Sequence, residues 1–193
     1  EYAVIYLDIH KLKAINDIFG SEEGDRVLRF VADLLNDCTS LDMPVRLLND
    51  KFAILLHGQT NPERWVRQFL EKLSRYDLPF AVICNLGIYL LQEEKVTLPQ
   101  CLDRAVLAQN TVKGNYVQKY AFYTEDMRQR LLTEQEIAGM FVGALADGQF
   151  IPYLQPQYDH LTGKIIGAEA LARWKHPVNG LVSPSNFIPV LEK

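Results

Sequence analysis

The stretch MPVRLLNDKFAILLH, residues 43–57, decides how the chain is read. Apolar, β-prone flanks surround Asn49-Asp50, a pair that favours a tight turn because both residues tolerate the backbone angles it requires. The pattern predicts a β-hairpin, with strands around 45–48 and 52–57 and a carboxylate, Asp50, at its tip. An Asn-Asp tip is ordinarily only a turn. Asp50 acquires chemical meaning only if other polar groups elsewhere in the chain converge on it.

Working outward, YAVIYLDI near the N-terminus is an apolar run that suits a buried strand of parallel type, ending at Asp8. LKAINDIF (12–19) predicts a short helix ended by Gly20. Val27, Leu28, Val31, Leu34 and Leu35 give a longer helix one apolar face. After the hairpin come an amphipathic helix over 61–76 with Pro62 in its first turn, a strand over 80–91, a helix over 97–114 stopped by Gly114, and a short strand at 120–123. This order predicts an α/β (α+β) fold, a mixed central sheet flanked by helices. From residue 124 the character changes. A helix, expected to break near Thr133, leads into two strand-like runs, QFIPYLQPQYD and KIIGAEALARW, joined by the turn sequence HLTG. The domains expected are 1–123, a connector helix over 124–135, and a second piece over 136–193.

Composition narrows the function classes. The 193 residues are 48% hydrophobic, enough for a core and too apolar for a disordered chain. The net charge of −4 and the lack of a basic run argue against a nucleic-acid polymer as partner, though not against a single nucleotide. No apolar stretch approaches the roughly 20 residues of a membrane helix. The N-terminus carries no signal-like segment, and a cytoplasmic location is expected. Three widely spaced cysteines, Cys38, Cys84 and Cys101, suit reduced thiols better than a disulfide framework or a zinc site.

If the hairpin pairs beside the first strand, Asp8 and Asp50 face one another at adjacent strand ends. Two carboxylates at that range repel unless a cation intervenes, and Mg²⁺ is the hard cation that prefers oxygen ligands and accompanies phosphates. Asn16 and Asp25 carry side chains able to hydrogen-bond a purine edge, and Lys13, one turn from Asn16, is placed to meet a phosphate. Each residue alone has an ordinary structural reading as a turn residue, surface charge or helix-end polar group. Their joint order gives them weight.

The series YLDIHKLKAINDIFGSEEGDRVLRFVADLL, LDMPVRLLNDKFAILL and DRAVLAQNTVKGN resembles the GGDEF domain, the family of diguanylate cyclases that join two GTP molecules into cyclic di-GMP. The resemblance covers residues 1 to about 123 and implies a nucleotide-cyclase-like sandwich. It places Asp8 and Asp50 on metal-binding positions and Asn16 and Asp25 on guanine-holding positions, with Lys13 matching the motif lysine. The family's hairpin motif, Arg-Tyr-Gly-Gly-Asp-Glu-Phe, stands here as Arg46-Leu47-Leu48-Asn49-Asp50-Lys51-Phe52. Leu48 and Asn49 put side chains where glycines admit close approach. Lys51 replaces an acid beside the expected metal. His10 replaces the second aspartate of the first-strand motif, where a structural role is expected. Asn110 stands where the family commonly has a phosphate-binding lysine, and Lys113, three residues on, is not expected to substitute. The inhibitory Arg-x-x-Asp motif becomes Thr39-Ser40-Leu41-Asp42. A degenerate domain that does not make cyclic di-GMP is expected.

The segment from Phe150 to Lys193 is similar to the opening of an EAL domain, the cyclic di-GMP phosphodiesterase family, at Gln155-Pro156, Glu169-Ala170-Leu171, Arg173-Trp174 and Phe187-Ile188-Pro189. The resemblance makes Glu169 a ligand of a divalent metal and Gln155 and Arg173 substrate contacts. An EAL domain is a TIM-type barrel of about 250 residues. Residues 126–193 supply only its opening, so this stretch is expected to be inactive by itself, part of a longer tandem protein, and misfolded, borrowed into an interface or packed on the first domain. Three readings follow: a regulatory domain that binds GTP or another guanine nucleotide and tunes an attached phosphodiesterase, a residual cyclase working as a homodimer, and a dimerisation or docking scaffold that binds no nucleotide.

Overall fold

The computed structural model describes residues 2–37, 42–58, 61–79, 81–92 and 95–192. Cys38 and the Thr39-Ser40-Leu41 part of the inhibitory motif lie outside the described residues. The chain divides into two units, Glu1–Arg128 and Gln129–Lys193.

In the first unit, β1 (Tyr2–Ile9) leads into α1 (Leu12–Phe19) and α2 (Ser21–Asn36). The hairpin β2 (Met43–Leu48) and β3 (Lys51–His57) follows, then α3 (Pro62–Leu73), β4 (Cys84–Leu90), α4 (Leu98–Val112) and β5 (Tyr120–Phe122). The order is the one the sequence predicts. The strands form one five-stranded mixed sheet in the order β2-β3-β1-β4-β5. β1 is antiparallel to both β3 and β4, and only β4 and β5 run parallel. The parallel-type reading of β1 is thereby corrected: its apolar run records burial on both faces, which does not encode the direction of its neighbours.

Alternation along β1 sorts the core. Ala3, Ile5, Leu7 and Ile9 join Phe52, Ile54, Leu86 and Ile88 beneath Ile15, Val27, Val31 and Phe69 of α1, α2 and α3. Val4 and Tyr6 join Tyr89 beneath Cys101 and Ala105 of α4 on the opposite face. With successive side chains pointing to opposite faces, Asp8 falls on the α4 face, two residues after Tyr6. The helices begin where their caps dictate. Asn61 accepts from Arg64 N at 2.9 Å ahead of α3, and Thr97 and Gln100 form a capping box ahead of α4. Gly87 lets α4 lie directly on β4, because a Cβ there would stand 1.9 Å from the Ala105 carbonyl oxygen.

α5 (Glu125–Ala146) runs unbroken past Thr133, whose hydroxyl donates to the Gln129 carbonyl at 3.0 Å. A hydroxyl satisfied by the preceding turn need not end a helix, and the expected interruption is absent. In the second unit β6 (Phe150–Tyr158), β7 (Ile165–His176) and β8 (Gly180–Val182) form a three-stranded antiparallel sheet, followed by α6 (Pro184–Leu191). Its core is small: Ile137, Ala144, Trp174 and Phe187, with Phe150 stacked on Trp174 at 5.2 Å. The second unit is therefore a hairpin sheet with one packed side.

Candidate functional site

The hairpin tip is a two-residue turn. Leu48 pairs with Lys51, and Asn49 adopts the left-handed conformation with φ 53°. Arg46 locks it by donating from Nε and Nη2 to the Asn49 carbonyl at 3.1 and 2.7 Å. Asp50 places its carbonyl under the end of β1, where Ile9 N–H donates to it at 3.1 Å. Asp8 is paired across the sheet with Lys51 on one side and Asn85 on the other, so these three side chains share one face. Asp8 and Asp50 both act on Tyr6. Burial first, then the two carboxylates, push its phenol up to about 12. β3 does pair beside β1, but the residue opposite Asp8 is Lys51, and Asp50 sits in the turn next to it.

Asp8 itself is nearly buried, and its Oδ2 lies 3.3 Å from Lys113 Nζ. Lys113 therefore reaches this strand end, whereas Asn110 is exposed on α4. Asn85, 1% exposed, fixes the segment that carries Lys113: Gly114 N–H donates to Asn85 Oδ1 at 3.0 Å, and Asn85 Nδ2 donates to the Asn115 carbonyl at 3.1 Å. Gly114, at φ 74°, supplies the left-handed turn that ends α4 and directs the chain back to β1. The backbone N–H of His10 donates to Ile83 O at 2.8 Å, and its ring lies edge-on to Tyr116.

Asn16 and Asp25 come from α1 and α2. Asn16 Oδ1 is buried without a hydrogen-bond partner and packs against Gly24, where a Cβ would fall 1.7 Å away. A buried acceptor left without a donor is costly unless a ligand supplies one. Asp25, the next residue after Gly24, is exposed, as are Lys13 and the hairpin residues Leu48 and Lys51. Asp42 is occupied structurally, its Oδ1 accepting His57 N–H at 2.8 Å.

In the second unit Gln155 lies directly opposite Glu169, and Arg173, four residues along β7, shares their face. The Arg173 guanidinium stands over the Tyr153 ring at 5.5 Å and donates to the Ala172 carbonyl. The three motif residues are thus brought onto one sheet face, exposed or half-exposed.

Sequence reasoning missed Gly24 and Asn85. Both left a signal: a glycine inside a helical pattern and a lone amide inside an apolar strand.

The fold and the strand-end carboxylates define a nucleotide-cyclase-like α/β domain followed by the start of a second domain. The chain belongs to the diguanylate cyclase GGDEF domain family, which matches residues 1–116, and the EAL domain family matches residues 139–193. It is thus a member of the GGDEF–EAL group of cyclic di-GMP signalling proteins. Over 98% of its length it is 32% identical to the uncharacterized protein sll1895 of Synechocystis sp.. Over 100% it is 28% identical to the bifunctional diguanylate cyclase/cyclic di-GMP phosphodiesterase MucR of Pseudomonas aeruginosa. It spans only 28% and 29% of the lengths of these two relatives. The crystal structure of an EAL/GGDEF domain protein from M. capsulatus superimposes with a TM-score of 0.56 at 26% identity, over 64% of this chain and 84% of that one.

Domains of both families generally depend on divalent metal. At the first site the residues do not fit one, because the Asp8 carboxylate is already engaged by an ammonium and Lys51 shares its face. Among the described residues no three His, Cys, Asp or Glu side chains are grouped to hold a metal ion, in either unit. Cys84 and Cys101 are buried free thiols, and burial pushes both up in pKa, as structural cysteines.

Proposed function

We propose that the GGDEF part is a regulatory guanine-nucleotide-binding module, with GTP the leading candidate, that tunes an EAL phosphodiesterase whose opening lies in the second unit. It does not synthesise cyclic di-GMP. The observation that carries this reading is the buried, unpartnered Asn16 Oδ1 held against Gly24, an acceptor that needs a donor. Synthesis fails for a different reason. Leu48 and Asn49 crowd the hairpin tip that glycines keep open in the family, and Lys51 and Lys113 bring positive charge to the strand end where a metal would align phosphates. Base recognition and phosphate alignment use separate groups, so the first survives loss of the second. In the whole protein, the face bearing Gln155, Glu169 and Arg173 belongs to the phosphodiesterase site, which acts on cyclic di-GMP with a divalent metal once the rest of the barrel is present.

The test is calorimetric titration with GTP, with the recovered nucleotide checked for conversion. Saturable binding with GTP recovered intact is expected, and Asn16→Ala abolishes it. Conversion to cyclic di-GMP would make the domain a residual cyclase, and absence of binding would make it a scaffold. The scaffold reading has one observation of its own: Met43, Val45, Leu47 and Leu48 leave the edge strand β2 apolar and exposed.

A further inference from the structure

Three strands end together at Lys51, Asp8 and Asn85, with the Asp50 turn beside them. A carboxylate this buried, with a second one nearby, requires positive charge. The chain supplies it. Lys113 Nζ stands 3.3 Å from Asp8 Oδ2, and its side chain is half-exposed while that of Asp8 is only 10% exposed. The lysine is not a passing surface charge, because the residues after it are anchored. Asn85, buried beneath them, bonds both Gly114 N–H and the Asn115 carbonyl, and the Gly114 turn sets where α4 releases the chain. Lys51, Lys113 and Arg46, which grips the Asn49 carbonyl at the hairpin tip, set three positive charges against Asp8 and Asp50, so the carboxylates are offset without any ion.

We infer that the Lys113 ammonium occupies the cation position of Asp8, so that nucleotide phosphates bind at this strand end without a divalent metal. The inference rests on the guanine-nucleotide reading above for its ligand, but not for the cation position itself. A metal ligated by Asp8 would have its centre roughly 2.1 Å from the carboxylate oxygen. Lys113 would have to leave Oδ2 for an ion to take its place there. An ammonium carries three donors. One is spent on Asp8, and the exposed part of Lys113 leaves the others open to an anion. Asn85 is then a positioning residue, acting only through where it sets Lys113.

The experiment measures GTP affinity in EDTA and in excess Mg²⁺, and Mn²⁺ uptake without nucleotide by electron paramagnetic resonance, for the wild type, Lys113→Met and Lys113→Met/Asp8→Asn. The wild type is expected to bind GTP with affinities within about twofold of each other in the two buffers. Lys113→Met loses about tenfold or more in EDTA, recovers in Mg²⁺, and gains Mn²⁺ uptake that the double variant lacks. Binding by the wild type that requires Mg²⁺ would overturn the inference, as would Mn²⁺ uptake that is the same with and without Lys113. If GTP binds in neither buffer, the guanine-nucleotide reading fails, and the Mn²⁺ comparison still decides whether Lys113 holds the cation position.

Discussion

Gly24 of α2 faces Asn16 of α1 so closely that the Cβ it lacks would fall 1.7 Å from Asn16 Oδ1. The two helices meet there because one position has no side chain. That closeness also holds the Asn16 acceptor out of water, ready for a donor.

Gly24→Ala forces Asn16 to move. Guanine-nucleotide affinity should fall by about tenfold or more, and the added methyl should cost about 1–3 kcal/mol of stability, as overpacking does. Calorimetry and denaturant unfolding measure the two effects. Unchanged affinity would remove Asn16 from the base pocket.

Asn85→Ala removes a buried amide that satisfies Gly114 N–H and Asn115 O. Leaving both backbone groups unpaired should lower the unfolding free energy by about 2–3 kcal/mol. If the amide only fills space, Asn85→Leu will restore the stability. If it positions Lys113, Asn85→Leu will leave GTP affinity in EDTA impaired even where the protein is stable.

Tyr6 makes stability fall at alkaline pH. Its folded pKa, raised to about 12 by burial and then by Asp8 and Asp50, exceeds the ordinary tyrosine value of 10.0. Between these values the unfolded chain has lost the proton that the folded one keeps, so the contribution present below pH 10 declines as pH rises towards 12. Urea midpoints taken across this window should decrease for the wild type. They should decrease less for Tyr6→Phe, and an equal decline in both proteins would assign the effect elsewhere.

Asn49 holds φ 53°, a conformation that asparagine tolerates and alanine does not. Asn49→Ala should cost about 1–2 kcal/mol, and Asn49→Gly should be neutral or stabilising. Thermal melts distinguish them. A neutral Asn49→Ala would mean that Arg46, which grips the Asn49 carbonyl, is sufficient to hold the turn.

Much of the fold was legible because periodicity and punctuation are local. The alternation around Asn49-Asp50, the apolar face Val27, Leu28, Val31 and Leu35, and the stops at Gly20 and Gly114 mark elements whose order the structure reproduces. The break expected at Thr133 was misread, because a polar residue in a helix signals an end only if its side chain is not satisfied within the preceding turn. The candidate residues Asp8, Asp50, Asn16 and Asp25 are named by the family resemblance, not by any local pattern of their own. The ion pair of Lys113 with Asp8 was not legible, since spacing along α4 says nothing about which strand end its C-terminal residue meets.

Sequence by itself determined the element order, the degenerate hairpin tip and the family, because each is written in neighbouring residues. Only the tertiary structure decided the antiparallel setting of β1, the close approach of Gly24 to Asn16, and the ion pair of Asp8 with Lys113. Those depend on groups far apart in the chain, brought together by burial of the sheet's two faces, and burial is a property of the assembled core rather than of any local run of residues.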